Sequence, residues 1–174
     1  KIYGNYFILL NLSLIFQILL DLGIENFTRR EIAQRSHLLS KYFSHVLPLK
    51  LILAGVYYAV CIPIGLSLGW GGRQMELLAV MLFNQFLASF ILYCRANLGG
   101  LHHFISDSFI SVTDRLVVIL ICGFLLLNPV TRLSFRIEWL VYAQTLAYLL
   151  AAGVAFTLVF SRASPIRIRF NRKY

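Results

Sequence analysis

Apolar positions fall into five long runs separated by short polar or glycine-rich breaks: 6–22, 46–68, 77–93, 105–127 and 137–160. A membrane-spanning helix needs about 20 mostly apolar residues. Each run therefore predicts one spanning helix, the first and third at the short end of the range. The fourth is interrupted by Asp107, Asp114 and Arg115. The breaks carry turn chemistry at Gly69-Trp-Gly-Gly72, Gly99-Gly100 and Asn128-Pro129, where glycine and proline punctuate regular structure. The pattern predicts an all-α integral membrane protein, a bundle of five transmembrane helices.

The stretch 24–45 follows a different rule. Gly23 is placed to end the first helix in a left-handed cap. Thr28-Arg-Arg-Glu31 fits a capping box, with Thr28 at the N-cap and Glu31 reaching back. Ile32, Leu39, Phe43 and Val46 then recur at roughly helical spacing among charged residues. This predicts an amphipathic connection on the inner membrane surface running into the second spanning helix. A solvated linker is the alternative. The tail 161–174 is basic and has no apolar pattern of its own.

Composition narrows the class. Of the 174 residues, 59% are hydrophobic and 13% charged, with a mean hydropathy of +0.77. A soluble domain carries about 25% charged residues, so a water-facing enzyme is excluded, and disorder is excluded by the apolar content. Lys and Arg total 16 against 7 Asp and Glu, a net charge of +9. In a membrane protein this excess reads as topology and not as nucleic-acid binding, because Lys and Arg collect in cytoplasmic loops. Arg29, Arg30, Arg35, Lys41, Lys50, Arg95 and the five cations of the tail fall on one side. Lys1, Arg73, Arg132 and Arg136 fall on the other. The chain is expected to start outside, cross five times, and end in the cytoplasm. With no initiator Met and no signal-peptide pattern, it is expected to be an internal piece with at least one helix upstream.

Ionisable groups inside a membrane mark function by default. In the fourth run Asp107, Ser111 and Asp114 share a stripe, with Ser108 and Arg115 on its shoulder and Ile105, Phe109, Val112 and Leu116 opposite. One reading is the wall of a polar cavity; the other is a clamp in which Arg115 pairs with a neighbouring carboxylate. Shorter stripes comprise Ser13, Gln17 and Asp21; Gln85 with Ser89; Glu138, Tyr142 and Thr145; and Gln144 with Tyr148. Singly these read as interhelical hydrogen bonds. Together they suggest a bundle with one wet side, as in half of a two-lobed transporter. Cys61, Cys94 and Cys122 lack metal or disulfide spacing, and His102-His103 has no ligand partners nearby in the sequence. No cofactor or metal site is expected.

Two stretches carry a family resemblance. Asp21-Leu-Gly-Ile-Glu-Asn-Phe-Thr-Arg-Arg-Glu-Ile-Ala33 resembles the connection after the second helix of oligosaccharide flippases, the polysaccharide-export branch of the MOP exporter superfamily. Tyr93-Cys-Arg-Ala-Asn-Leu-Gly-Gly-Leu-His-His-Phe104, followed by Asp107-Ser-Phe-Ile-Ser-Val-Thr-Asp-Arg115, resembles the passage from helix four to helix five of that family. Tyr3-Gly-Asn-Tyr6 fits the approach to its second helix. The resemblance implies that the five runs are helices two to six, part of the first lobe of a two-lobed transporter of about 12 to 14 helices. The second lobe of the same chain would then be missing here.

The implied task is to flip a lipid-linked oligosaccharide, of undecaprenyl-pyrophosphate type, across a bacterial inner membrane by alternating access. The partners would be that substrate and membrane lipids, with no nucleic acid and no enzymatic step. Arg115, Arg95, Arg29 and Arg30 are the candidates for pyrophosphate and sugar contact, since guanidinium forks suit phosphate oxygens. Asp107, Asp114, Ser111 and Gln17 are the candidates for cavity polarity or ion coupling. Competing readings are a cation-coupled multidrug exporter of the same superfamily, a membrane-embedded enzyme of polysaccharide assembly, and a non-transporting scaffold.

Overall fold

A computed structural model describes residues 2–36, 39–127 and 137–163 of the chain. Those residues form six α-helices and no strand: α1 Ile2–Ile15, α2 Ile24–Gln34, α3 Leu39–Ser67, α4 Gly72–Gly100, α5 Phe104–Leu127 and α6 Ile137–Ala163. A 3-10 segment, Phe16–Leu20, continues α1. Among the described residues four helical stretches are long and apolar enough to cross a membrane: Tyr6–Gln34, Lys41–Ser67, Gly72–Gly100 and Glu138–Ser161. The expected fourth of five spans, 105–127, forms α5 and is not one of these four. The chain is by this measure an all-helical, multi-pass membrane protein. The expected break at Asn128-Pro129 and the basic tail beyond residue 163 lie outside the described residues.

The helices outrun the apolar runs that announced them. α3 and α4 each hold 29 residues, about 43 Å at 1.5 Å per residue, against a hydrocarbon thickness of about 30 Å. The surplus is polar. Arg73, Gln74 and Glu76 open α4, and Arg95 and Asn97 lie near its end. Hydropathy alone finds only the middle of such a helix.

α4 is the axis of the bundle and touches each of the other five helices. Its buried positions, among them Leu78, Leu82, Leu87, Ile91, Cys94 and Leu98, lie all round the cylinder. One apolar cluster joins Leu87, Ile91, Cys94 and Leu98 to Phe43, Val46, Ile110, Ala151 and Ala155. A second joins Leu78, Met81 and Leu82 to Leu9, Ala54, Tyr57, Cys61 and Val141. α6 meets α4 along Ala143, Ala147, Ala151 and Ala155, all buried. Small residues every four positions let two backbones approach closely, which drives helix association where water is absent.

The connection between α1 and α3 departs from expectation. Leu22 and Gly23 both take positive φ, 43° and 83°, and Gly23 is the N-cap of α2. Thr28 is therefore not an N-cap. It lies inside α2, buried, and its hydroxyl has no hydrogen-bond partner among the described residues. Asp21 takes the capping role instead, its Oδ1 accepting from the Glu25 backbone N–H at 3.1 Å. Glu31 does not reach back either; its Oε2 accepts from Tyr42 Oη at 3.3 Å, tying α2 to α3. The four apolar positions of the expected amphipathic connection, Ile32, Leu39, Phe43 and Val46, are all buried within the protein.

Gly99-Gly100 also differs. Both glycines are helical, and the left-handed residue of the turn is His102, with φ 61°. His103 N–H closes the helix onto Leu98 O at 3.0 Å. Gly100 is needed for a different reason: a Cβ there would sit 2.9 Å from Ile32 Cβ and 3.0 Å from the Arg29 carbonyl oxygen. It lets α2 lie directly on the end of α4.

Candidate functional site: charged clusters within the helix bundle

Two charged clusters and one groove bring together polar side chains from different helices. The first cluster sits where α1 breaks. Lys50, on α3, is 2% exposed. Its position follows from the stripe Leu39, Phe43, Val46, Lys50, in which it is the next inward-facing residue. The ammonium donates to Ser89 Oγ at 2.7 Å, to Ser89 O at 3.2 Å and to Leu20 O at 3.3 Å. Asp21 Oδ1 lies 3.7 Å away as counter-ion, and the Tyr93 ring centroid is at 5.7 Å. Ser89 Oγ itself donates to Leu20 O at 3.2 Å.

The Leu20 carbonyl is an orphan of the broken helix, and such groups need partners when buried. Lys50 and Ser89 supply them. Beside this node a cavity of about 310 Å³ is lined by Leu14, Gln17, Ile18, Asp21, Glu25, Ser89 and Leu92. Gln17 is one of its lining residues.

The second cluster lies at the α4–α5 turn. Arg95 Nε donates to Asp107 Oδ1 at 2.6 Å, with both side chains about three-quarters buried. Two residues given different roles from the sequence, substrate contact for Arg95 and ion coupling for Asp107, form one ion pair. Nearby on α2, Arg29 Nη2 donates to Glu25 Oε1 at 3.4 Å, one turn apart. Arg30 is exposed on the outer side of α2. Far along α4, Arg73 Nη2 donates to Glu138 Oε2 on α6 at 2.6 Å.

The groove lies between α5 and α6. Arg115, Gln144 and Tyr148 line it with Val118, Ile119 and Leu140, enclosing about 330 Å³. Gln144 Nε2 donates to Tyr148 Oη at 3.0 Å. Arg115 is exposed and pairs with no carboxylate among the described residues. Ser111 is half-buried on the same helix, and the Asp114 side chain lies outside the described residues. The apolar positions opposite, Ile105, Phe109, Val112 and Leu116, are all exposed, Ile105 at 89%.

The sequence puts Lys50 just inside the second spanning helix and counts it with the cytoplasmic-side cations; its burial and its partners are what sequence reasoning missed. The signal was available in the spacing that puts it in register with three buried apolar residues. The alanine ridge of α6 was likewise readable as a period of four. No group of three or more metal-ligating side chains forms among the described residues. Compared with family models, curated proteins and solved structures, the chain matches none.

Proposed function

We propose that this chain forms part of one lobe of a flippase, carrying the anionic head group of a lipid-linked oligosaccharide across a bacterial inner membrane. The observation that carries the reading is the groove at Arg115. A guanidinium halfway along α5 lines a cavity with an amide and a phenol, and has no carboxylate partner among the described residues. Arg115 is exposed on α5. A guanidinium at the middle of a membrane-length helix with no counter-ion is costly to leave unpaired, so it suits a site that receives an anion.

Charge accounting points the same way. Asp21, Glu25, Asp107 and Glu138 each lie within ion-pair distance of a cation of this chain. A multidrug exporter that binds cationic substrates would need free carboxylates, and these four are engaged. Of the other described ones, Glu31 bonds to Tyr42, while Glu76 lies exposed at the start of α4, away from the groove. Arg95 and Arg29, each paired, are weaker candidates for substrate contact than Arg115. Alternate exposure of the groove by rocking against a second lobe would move the head group while its lipid tail stays in the bilayer.

The test is vesicle translocation of a fluorescent lipid-linked oligosaccharide by the full-length protein. Arg115→Ala should abolish translocation while membrane abundance and thermal midpoint stay at wild-type values, and Arg115→Lys should retain part of it. Unchanged translocation in Arg115→Ala would remove the residue, and the reading built on it.

A further inference from the structure

The outer face of α2 is used by neither the groove nor the buried node, and it has a composition of its own. α2 is docked through Thr28 and Ile32, which are buried against the end of α4 at Gly100. The Tyr42 hydroxyl and ring hold it to α3 as well, through Glu31 and through an edge-on contact with Phe27 at 6.3 Å. The helix is thus fixed across one end of the bundle, beside the start of α3 and the close of α4. Both of its carboxylates are engaged: Glu25 with Arg29, and Glu31 with Tyr42.

What remains outward is cationic and apolar. Arg30, Arg35 and Lys41 are exposed, and among the described residues none has a carboxylate partner. Phe27 and Leu22 are exposed as well, at 53% and 62%. At 100° per residue, Arg30 lies opposite the buried pair and Phe27 lies toward α3. A rigid platform with fixed cations and large apolar side chains, set at the ends of spanning helices, complements an anionic bilayer surface.

We propose that α2 and the first turn of α3 form a binding surface for anionic phospholipid head groups. Arg30, Arg35 and Lys41 meet the phosphates, and Phe27 and Leu22 enter the acyl boundary. This assignment takes Arg30 away from the transported substrate, and it stands whether or not the chain is a flippase.

The experiment uses the full chain in neutral detergent, titrated with phosphatidylglycerol or phosphatidylcholine and read by native mass spectrometry. Wild type should retain phosphatidylglycerol in preference to phosphatidylcholine, and the preference should fall as salt rises. Each cation near an anionic surface contributes a factor of about five in affinity. The triple variant Arg30→Gln, Arg35→Gln, Lys41→Gln should therefore lose phosphatidylglycerol binding roughly a hundredfold. Arg73→Gln, at the other end of α4, should bind as wild type does. All three positions are exposed, so the thermal midpoint of the triple variant should not move. Equal retention of the two lipids by wild type, or undiminished phosphatidylglycerol binding by the triple variant, would overturn the proposal. Full competition by glycerol phosphate would overturn it too, because the site would then recognise a free anion and not a lipid surface.

Discussion

A buried ammonium is tolerable only when each of its hydrogens has an acceptor, and Lys50 shows how two neighbouring elements, α4 and the 3-10 segment, supply them. Its acceptors are Ser89 Oγ, Ser89 O and Leu20 O, with Asp21 as counter-ion. Ser89 is the pivot, because its hydroxyl accepts from Lys50 and donates to Leu20 O. Removing that hydroxyl takes one charge-assisted bond from the lysine and one donor from the orphan carbonyl. Ser89→Ala should cost about 2 kcal/mol, within the range for hydrogen bonds to charged groups. A lowered midpoint of thermal unfolding in detergent would show it, and an unchanged midpoint would mean the node contributes nothing. Lys50 was hidden at the level of composition, where any lysine beside a loop counts as a loop charge. Its burial comes from helical register, which places it one step beyond Leu39, Phe43 and Val46. Arg95 was visible as a loop cation and Asp107 as an intramembrane carboxylate, yet their pairing was not, since 12 positions and a tight turn separate them.

At the scale of elements, close approach and capping decide what the glycines are for. Gly99 and Gly100 look alike in sequence but face different neighbours. A Cβ on Gly100 would meet Ile32 Cβ and the Arg29 carbonyl at 2.9 and 3.0 Å, while one on Gly99 would meet only the Arg29 side chain, at 3.7 Å. Backbone cannot give way as a flexible side chain can. Gly100→Ala should lift α2 from α4 and cost on the order of 1–3 kcal/mol, as overpacking does. Gly99→Ala should be neutral or gain up to about 1 kcal/mol, because alanine is the better helix residue. Opposite signs for two adjacent, identical substitutions, read as shifts in thermal midpoint, test the seating of α2. Equal effects would mean α2 does not rest there. Helix existence was legible because each apolar run is long. Helix ends were not, since Arg73, Gln74 and Glu76 are helical by backbone geometry and absent from any hydropathy window. The start of α2 was misjudged because Thr-x-x-Glu is a local pattern, and the left-handed pair Leu22 and Gly23 had already started the helix.

At the scale of the molecule, the contacts sort the helix ends into two groups. Ile32 against Gly100 places α2 with the close of α4, and Arg95 with Asp107 adds the start of α5. Arg73 with Glu138 joins the starts of α4 and α6 at the opposite end. This grouping puts α2 and Arg95, which the cation count assigns to one side, at one end, and Arg73, which it assigns to the other side, at the opposite end, as spans of similar length that alternate in direction require. Partner choice was less legible. The polar stripe of the fourth run reads as a cavity wall or a clamp, and nothing in it tells that α5 exposes Ile105, Phe109, Ile119 and Phe124 while the centre belongs to α4. In a bilayer an apolar face can meet lipid or protein at similar cost, so hydrophobicity does not say which face is inside. Orientation rests on the cation count alone and can be tested in cells. In a Cys122→Ser background, with Cys61 and Cys94 buried, single cysteines at Arg30, His102 and Arg73 would be offered a membrane-impermeant maleimide. Arg73→Cys should label on intact cells, and Arg30→Cys and His102→Cys only after permeabilisation. The reverse pattern would invert the orientation and leave the packing intact. Labelling of Arg30→Cys and His102→Cys from opposite sides would break the grouping itself, because α2 and the α4–α5 turn could not then share one end of the bundle.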